Sequence, residues 1–135
     1  MSALLFLDPN QRMKKSLIVV AVGLTMASCS NRAAVERSAY QYLVHTSAYD
    51  IEAARHYVTP ETDSTTMVVA RNLMVDVDST YTASDRPAQL SLLRTTITDD
   101  TTATVCYHKR TPLKNFTDSL ALRRRDGRWL IHNPM

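Results

Sequence analysis

The alternation of apolar and polar positions divides the chain into three stretches. Leu17 to Met26 is a run of ten residues without charge. From Val35 onward the apolar residues recur at helical spacing, with Val35, Ala39, Tyr42, Leu43 and Thr46 on one stripe, which predicts a first helix. Ile51, Ala54, Tyr57 and Val58 make a shorter second stripe, and Ser47 followed by Asp50 reads as its start box. Thr59-Pro60-Glu61 signals another start, because threonine can cap free amides, proline suits the first helical position and a carboxylate favours the positive end of the helix dipole. A third helix is predicted from Pro60 to about Met74.

The period then changes to two. Val75, Val77 and Tyr81 alternate with polar residues, so strands are expected from there, with a turn at Asp85-Arg86-Pro87. Leu90 to Thr98 is rich in leucine, isoleucine and threonine, Asp99-Asp100 turns the chain, and Ala103, Val105 and Tyr107 share one face of the next strand. Thr111 to Asn115 is a loop, after which Phe116, Asp118, Leu120 and Leu122 alternate along a third long strand. Asp126-Gly127 closes a tight hairpin into Arg128 to His132, with Trp129 as a core residue. Helices first and a meandering sheet after them predict an α+β domain with the helices packed on one face of a curved antiparallel sheet.

The uncharged run near the start has a different meaning. Lys14 and Lys15 precede it and the small residues Ala27 and Ser28 lead into Cys29, the layout of a secretory signal. A membrane-spanning helix needs about 20 apolar residues, so this run is too short to be read as one. Met26-Ala27-Ser28-Cys29 resembles the lipobox of bacterial lipoproteins, which implies diacylglycerol on the Cys29 sulfur and an acyl group on its nitrogen. Several acyl chains together give stable attachment where one does not. Cleavage at an ordinary signal site and a retained membrane helix are the alternatives. Asp8 and Pro9 stand ahead of the lysines, where signals rarely carry them, so Met13 is read as the true start and residues 1–12 as a spurious extension. The expected layout is a signal through residue 28, a lipidated tether at 29–32 and one domain at 33–133.

Charge and cysteine content narrow the partners. The chain has 16 Lys+Arg against 13 Asp+Glu, but Arg12, Lys14, Lys15 and Asp8 all precede Cys29, which leaves 13 against 12 afterwards. That near-neutral remainder lacks the basic footprint of a nucleic-acid binder. The only other cysteine is Cys106, so no disulfide framework follows, a Cys29–Cys106 bridge being the competing reading. Arg123, Arg124, Arg125 and Arg128 form one cluster, with Lys109 and Arg110 expected close by on a neighbouring strand. Strand alternation turns Arg123 and Arg125 one way and Arg124 the other, which fits solvated edge charges better than one anion patch.

No catalytic motif stands out. His45, His56, His108 and His132 lack metal-ligand spacing, and no metal or cofactor is expected. Gly23 and Gly127 are the only glycines, too few for a nucleophile elbow or a phosphate loop.

Three segments carry a family resemblance: Ser47 to Thr62 (SAYDIEAARHYVTPET), Thr101 to Val105 (TTATV) and Leu122 to Ile131 (LRRRDGRWLI). They resemble a family of small envelope lipoproteins of unknown function with a nuclear transport factor 2-like, or cystatin-like, domain, over about residues 33 to 133. The resemblance implies a cone whose sheet and helices can enclose a pocket. Tyr40, His56, Tyr57, Tyr107 and His108 are the pocket candidates, groups that act as general acids or bases when their pKa is tuned. The implied protein is held by lipid on Cys29 in a bacterial envelope, at the outer membrane facing the periplasm, since Ser30 and not an aspartate follows the cysteine. Its domain would bind a small apolar ligand or an envelope protein without catalysis. An isomerase or dehydratase is the second reading, and a structural homodimer the third.

Overall fold

A computed structural model describes residues 30–135, of which Ala33–Met135 forms one compact unit. The export signal, the start at Met13 and the lipidation site Cys29 lie outside the described residues. Helix α1 covers residues 30–47, so the stretch from Ser30 to Arg32, read above as a tether, is helical. Its predicted stripe is the buried one: Val35 and Ala39 are fully buried and Leu43 nearly so. Helix α2 (Ile51–Ala54) tightens into a single turn at Arg55–Tyr57. Its cap is Asp50 itself, whose Oδ1 accepts from the Ala53 amide at 3.1 Å, and not Ser47 as the start-box pattern suggests. Tyr49, at φ 62°, interrupts the chain between Ser47 and α2, so Ser47 cannot reach the first-turn amides of α2.

Thr59 and Pro60 open the next helical stretch as predicted, Thr59 Oγ1 accepting from the Thr62 amide. This stretch runs as α3 (Pro60–Thr62), a wider π turn (Asp63–Met67) and α4 (Val68–Val75). The strand expected from Val75 is absent, and helix α5 (Ser79–Ser84) stands there instead. The amides of Asp76 and Val77 fold back onto the carbonyls of Leu73 and Met74, and Asp78 Oδ1 then accepts from the Thr80 amide to start α5. Two alternating valines with no strand to pair against lose to a good capping residue.

Four antiparallel strands follow in chain order: β1 (Gln89–Asp99), β2 (Thr102–Arg110), β3 (Asn115–Arg125) and β4 (Arg128–Ile131). Irregularities in β1 between Leu92 and Arg94 and between Ile97 and Asp99 interrupt its pairing with β2, and such bulges bend a sheet. The inward face carries Thr95, Ala103, Val105, Tyr107, Leu122, Trp129 and Ile131, all buried, and α1, α2 and Met67 close over it. Thr95 Oγ1 donates to Glu36 of α1 at 2.9 Å, a polar stitch between the layers.

Beside β4, Val58 forms a parallel bridge with Ile131, and Thr59 Oγ1 meets His132 Nδ1 at 2.9 Å. The short β4 is therefore shielded by the segment that leads into α3. The arginine run divides as alternation requires. Arg124 is half-buried opposite Trp129, while Arg123 donates to Thr102 Oγ1 and Arg125 pairs with Glu61 at 2.9 Å. Lys109 and Arg110 are not beside it, because the register sets Arg123 against Thr102 and Arg110 against Asn115, at opposite ends of β2.

Two substitutions probe this architecture. Trp129→Ala should lower stability by about 3–5 kcal/mol, since a large buried side chain leaves a cavity against Leu122 and Ile131. Asp126 and Gly127 both have positive φ, at 52° and 78°, and a Cβ on Gly127 would meet no atom within 4 Å. Gly127→Val should therefore cost only the left-handed backbone strain, about 1–2 kcal/mol. Chemical denaturation of both variants checks the order: Trp129→Ala must be the more damaging.

Candidate functional site

The corner after α1, the segment leading into β1 and the β2–β3 loop meet around one buried carboxylate. Asp85 is 1% exposed. The Tyr49 hydroxyl donates to its Oδ2 and the Thr111 hydroxyl to its Oδ1, while Lys114 Nζ lies 3.1 Å from Oδ2. The Thr111 oxygen also accepts from the amides of Leu113 and Lys114, at 3.3 and 3.0 Å, so one hydroxyl both shapes its loop and ties it to Asp85. The Lys114 ammonium stands over the rings of Tyr49 and Tyr81, 5.7 Å from each centroid.

Burial pushes the Asp85 carboxyl up, but the bonds from Thr111, Tyr49 and Lys114 and the ammonium charge outweigh it and hold the group at about 2. Tyr49 moves the other way, raised by burial and by its bond to Asp85. Lys114 is raised as well, its bonds to Asp85 and Tyr49 overcoming burial. At neutral pH Asp85 and Lys114 therefore stay ionised, and Tyr49 keeps the proton it donates to Asp85. The cluster is a pin with no spare proton.

Next to the pin, Arg86 and Pro87 turn the chain into β1 and leave a cleft of about 290 Å³ against the C-terminal half of α1. Tyr40, Val44 and Ser47 come from α1 and Ala48 from the turn directly after it, and Arg86, Pro87, Ala88 and Leu90 come from the facing segment. Helical spacing explains the first set: residues 40, 44 and 47 lie on one side of a helix. Arg86 Nη2 donates to the Ala48 carbonyl at 2.7 Å, and its guanidinium carbon stands 5.9 Å from the Tyr49 ring centroid, so its head is held at the rim. Ser47 is 5% exposed and its hydroxyl has no hydrogen-bond partner in the structure. The cleft is thus largely apolar walls with one cation, one orphaned hydroxyl and the Tyr40 phenol.

The five pocket candidates do not converge. Tyr40 lines this cleft, 43% exposed. His56 is exposed and its carbonyl accepts from Arg128, whereas Tyr57 stacks on His45 with centroids 5.6 Å apart. Tyr107 is buried edge-on to Phe116, and burial, followed by the nearby Asp118 and Tyr42, pushes its hydroxyl up to about 12. His108 points from the opposite sheet face, its Nε2 at 2.6 Å from Asn115 Oδ1. Among the described residues, no three His, Cys, Asp or Glu side chains gather as a metal site requires, and Cys106 is a half-buried free thiol. No described helix is long and apolar enough to cross a membrane.

Asp85, Tyr49, Thr111, Lys114, Ser47 and Arg86 are absent from the set drawn from sequence. The only local signal was the Asp85-Arg86-Pro87 turn. Compared with known proteins, the sequence matches no family model and no curated relative.

The pin makes a pH prediction. The folded Asp85 carboxyl releases its proton more readily than the unfolded one, from 3.8 down to about 2. Its contribution is therefore complete above about pH 4 and fades as pH falls toward about 2. Asp85→Ala, which strands a partly buried ammonium, should cost about 3 kcal/mol at neutral pH. Melting curves of wild type and variant should converge as the solution is acidified, and a gap that persists at the acid limit would contradict the assignment.

Proposed function

We propose that this chain is a lipid-anchored envelope protein whose single domain binds a ligand without catalysing its conversion. The lipobox-like Met26-Ala27-Ser28-Cys29 supports the anchor, and with it an outer-membrane address facing the periplasm. The order of helices and strands is compatible with the nuclear transport factor 2-like cone that the resembling segments imply. The observation that carries the binding reading is the cleft between α1 and the start of β1, where apolar walls surround a buried hydroxyl left without a partner. Buried polar groups are nearly always satisfied, so an orphan in a concave site suggests a group supplied from outside.

The ionisable residues favour binding over isomerase or dehydratase chemistry. Asp85 and Tyr107, at about 2 and about 12, are both displaced away from neutrality, where a general acid or base works least well. The sheet also gives the structural homodimer less support. Its outward face carries Thr96, Thr104, Thr117, Ser119 and Arg123, all exposed, with Leu93 as its large exposed apolar residue.

Two measurements test the proposal. Cys29→Ala should move the protein from the membrane to the soluble fraction and abolish incorporation of labelled palmitate. Retention in the membrane without label would end the anchored reading. Native mass spectrometry of wild type purified from envelope extract should show the chain with extra small-molecule mass beyond its acyl groups, which Val44→Trp, filling the cleft, removes. A bare monomer or an empty dimer counts against a binding domain.

A further inference from the structure

We infer that the cleft takes an anionic amphiphile, a molecule with one carboxylate head and a short aliphatic chain, the head at Arg86 and the chain over Tyr40, Val44 and Leu90. This rests on the binding reading above and specifies its ligand. The argument begins with the cation. Arg86 is held at the rim by a single bond to the Ala48 carbonyl and by the Tyr49 ring, which leaves most of its N–H donors open. Among the described residues no carboxylate pairs with it. Its neighbour Asp85 has both oxygens committed to Tyr49, Thr111 and Lys114. An arginine fixed in place beside a cleft, with donors to spare, is arranged for a forked contact to a planar anion.

The rest of the cleft fixes the body of the ligand. Tyr40, Val44, Ala48, Pro87, Ala88 and Leu90 offer hydrocarbon, and Tyr40 is 43% exposed until something covers it. The volume, about 290 Å³, is at the small end of ligand sites, which excludes a folded partner or a long peptide. The Ser47 hydroxyl, 5% exposed and unpartnered, would be satisfied by a carboxylate oxygen that also meets Arg86. A neutral hydrocarbon would leave both groups unanswered, and a cation would be repelled by the guanidinium.

Octanoate and octanol, which differ in the head alone, separate these cases. Full-length protein in phosphatidylcholine nanodiscs is dialysed to equilibrium against either labelled probe, with uptake by empty discs subtracted. Wild type should bind octanoate at least tenfold more tightly than octanol at neutral pH. Arg86→Gln should erase that preference while still taking octanol, Arg86→Lys should keep part of it, and Val44→Trp should lose both probes. Unchanged melting of the Arg86 variants shows that the head contact, not folding, is measured. Equal binding of the two probes by wild type, both lost in Val44→Trp, overturns the anionic ligand and leaves a binding cleft standing. Octanoate binding that survives Val44→Trp, or no binding of either probe, overturns the site as well, and native mass then decides separately whether the domain carries any ligand.

Discussion

An ionised carboxylate out of contact with water sets the terms for the rest of this structure. Removing an unpaired charge from solvent costs several kcal/mol, and Asp85 is tolerable only because donors meet both of its oxygens. Those donors come from Tyr49, 36 residues before it, and from Thr111, 26 residues after it, with Lys114 beside Thr111. No partial assembly satisfies the charge. The corner after α1, the entry to β1 and the β2–β3 loop must all arrive together, and that convergence places Arg86, Pro87 and Leu90 opposite α1 to form the cleft. The apolar core supplies most of the driving force for folding, while the pin selects which arrangement of loops the core carries.

This division explains what could be read from the chain. Periodicity reports which face of an element is buried, so the α1 stripe, the inward set Ala103, Val105 and Tyr107, and the Asp126-Gly127 turn were all legible, and so was the α+β class. Local capping chemistry was legible at Thr59 but ambiguous at Ser47, where the positive φ of Tyr49 is invisible in a pattern of polar and apolar letters. Val75, Val77 and Tyr81 misled for a related reason: three alternating positions are a weak strand signal, and the Asp78 cap competed with them. The site was illegible because its logic is long-range. Nothing near Asp85 in sequence announces that Thr111 and Lys114 will satisfy it, and an exposed aspartate in a turn is the ordinary expectation.

The sheet is built to have one buried side. The buried inward positions are apolar except Thr95, which Glu36 satisfies, with Lys109, Asp118 and Arg124 polar on the same face toward the ends of β2 and β3, and outward ones in β2 and β3 are mostly threonine, serine and arginine. Such alternation needs no second layer, since an antiparallel sheet can face water on one side. Charge follows the same division. From residue 89 onward the chain has eight Lys and Arg against four Asp, whereas the helical stretch from residue 30 to 88 has five against eight Asp and Glu. The near-neutral total therefore hides a basic sheet and an acidic helical stretch, and Arg125 to Glu61 is one of the ion pairs that joins them. At about 41–49% exposure this pair contributes little to stability, and its significance is in register between β3 and the start of α3.

The same economy bears on whether the domain does chemistry. A general acid or base has to exchange a proton near neutral pH and touch what it acts on. Asp85 is held in its ionised form and Tyr107 in its neutral form by their surroundings, and neither lines the cleft. Three of the four histidines are engaged elsewhere, His132 with Thr59, His108 with Asn115 and His45 against Tyr57, and the exposed His56 is outside the cleft lining. The polar groups that line the cleft are the Arg86 guanidinium, the Ser47 hydroxyl, which has no partner, and the Tyr40 phenol. Each of them can hold an oxygen by a hydrogen bond. A site made of such groups can hold an oxygen-bearing head against apolar walls, which is what the proposed binding reading requires.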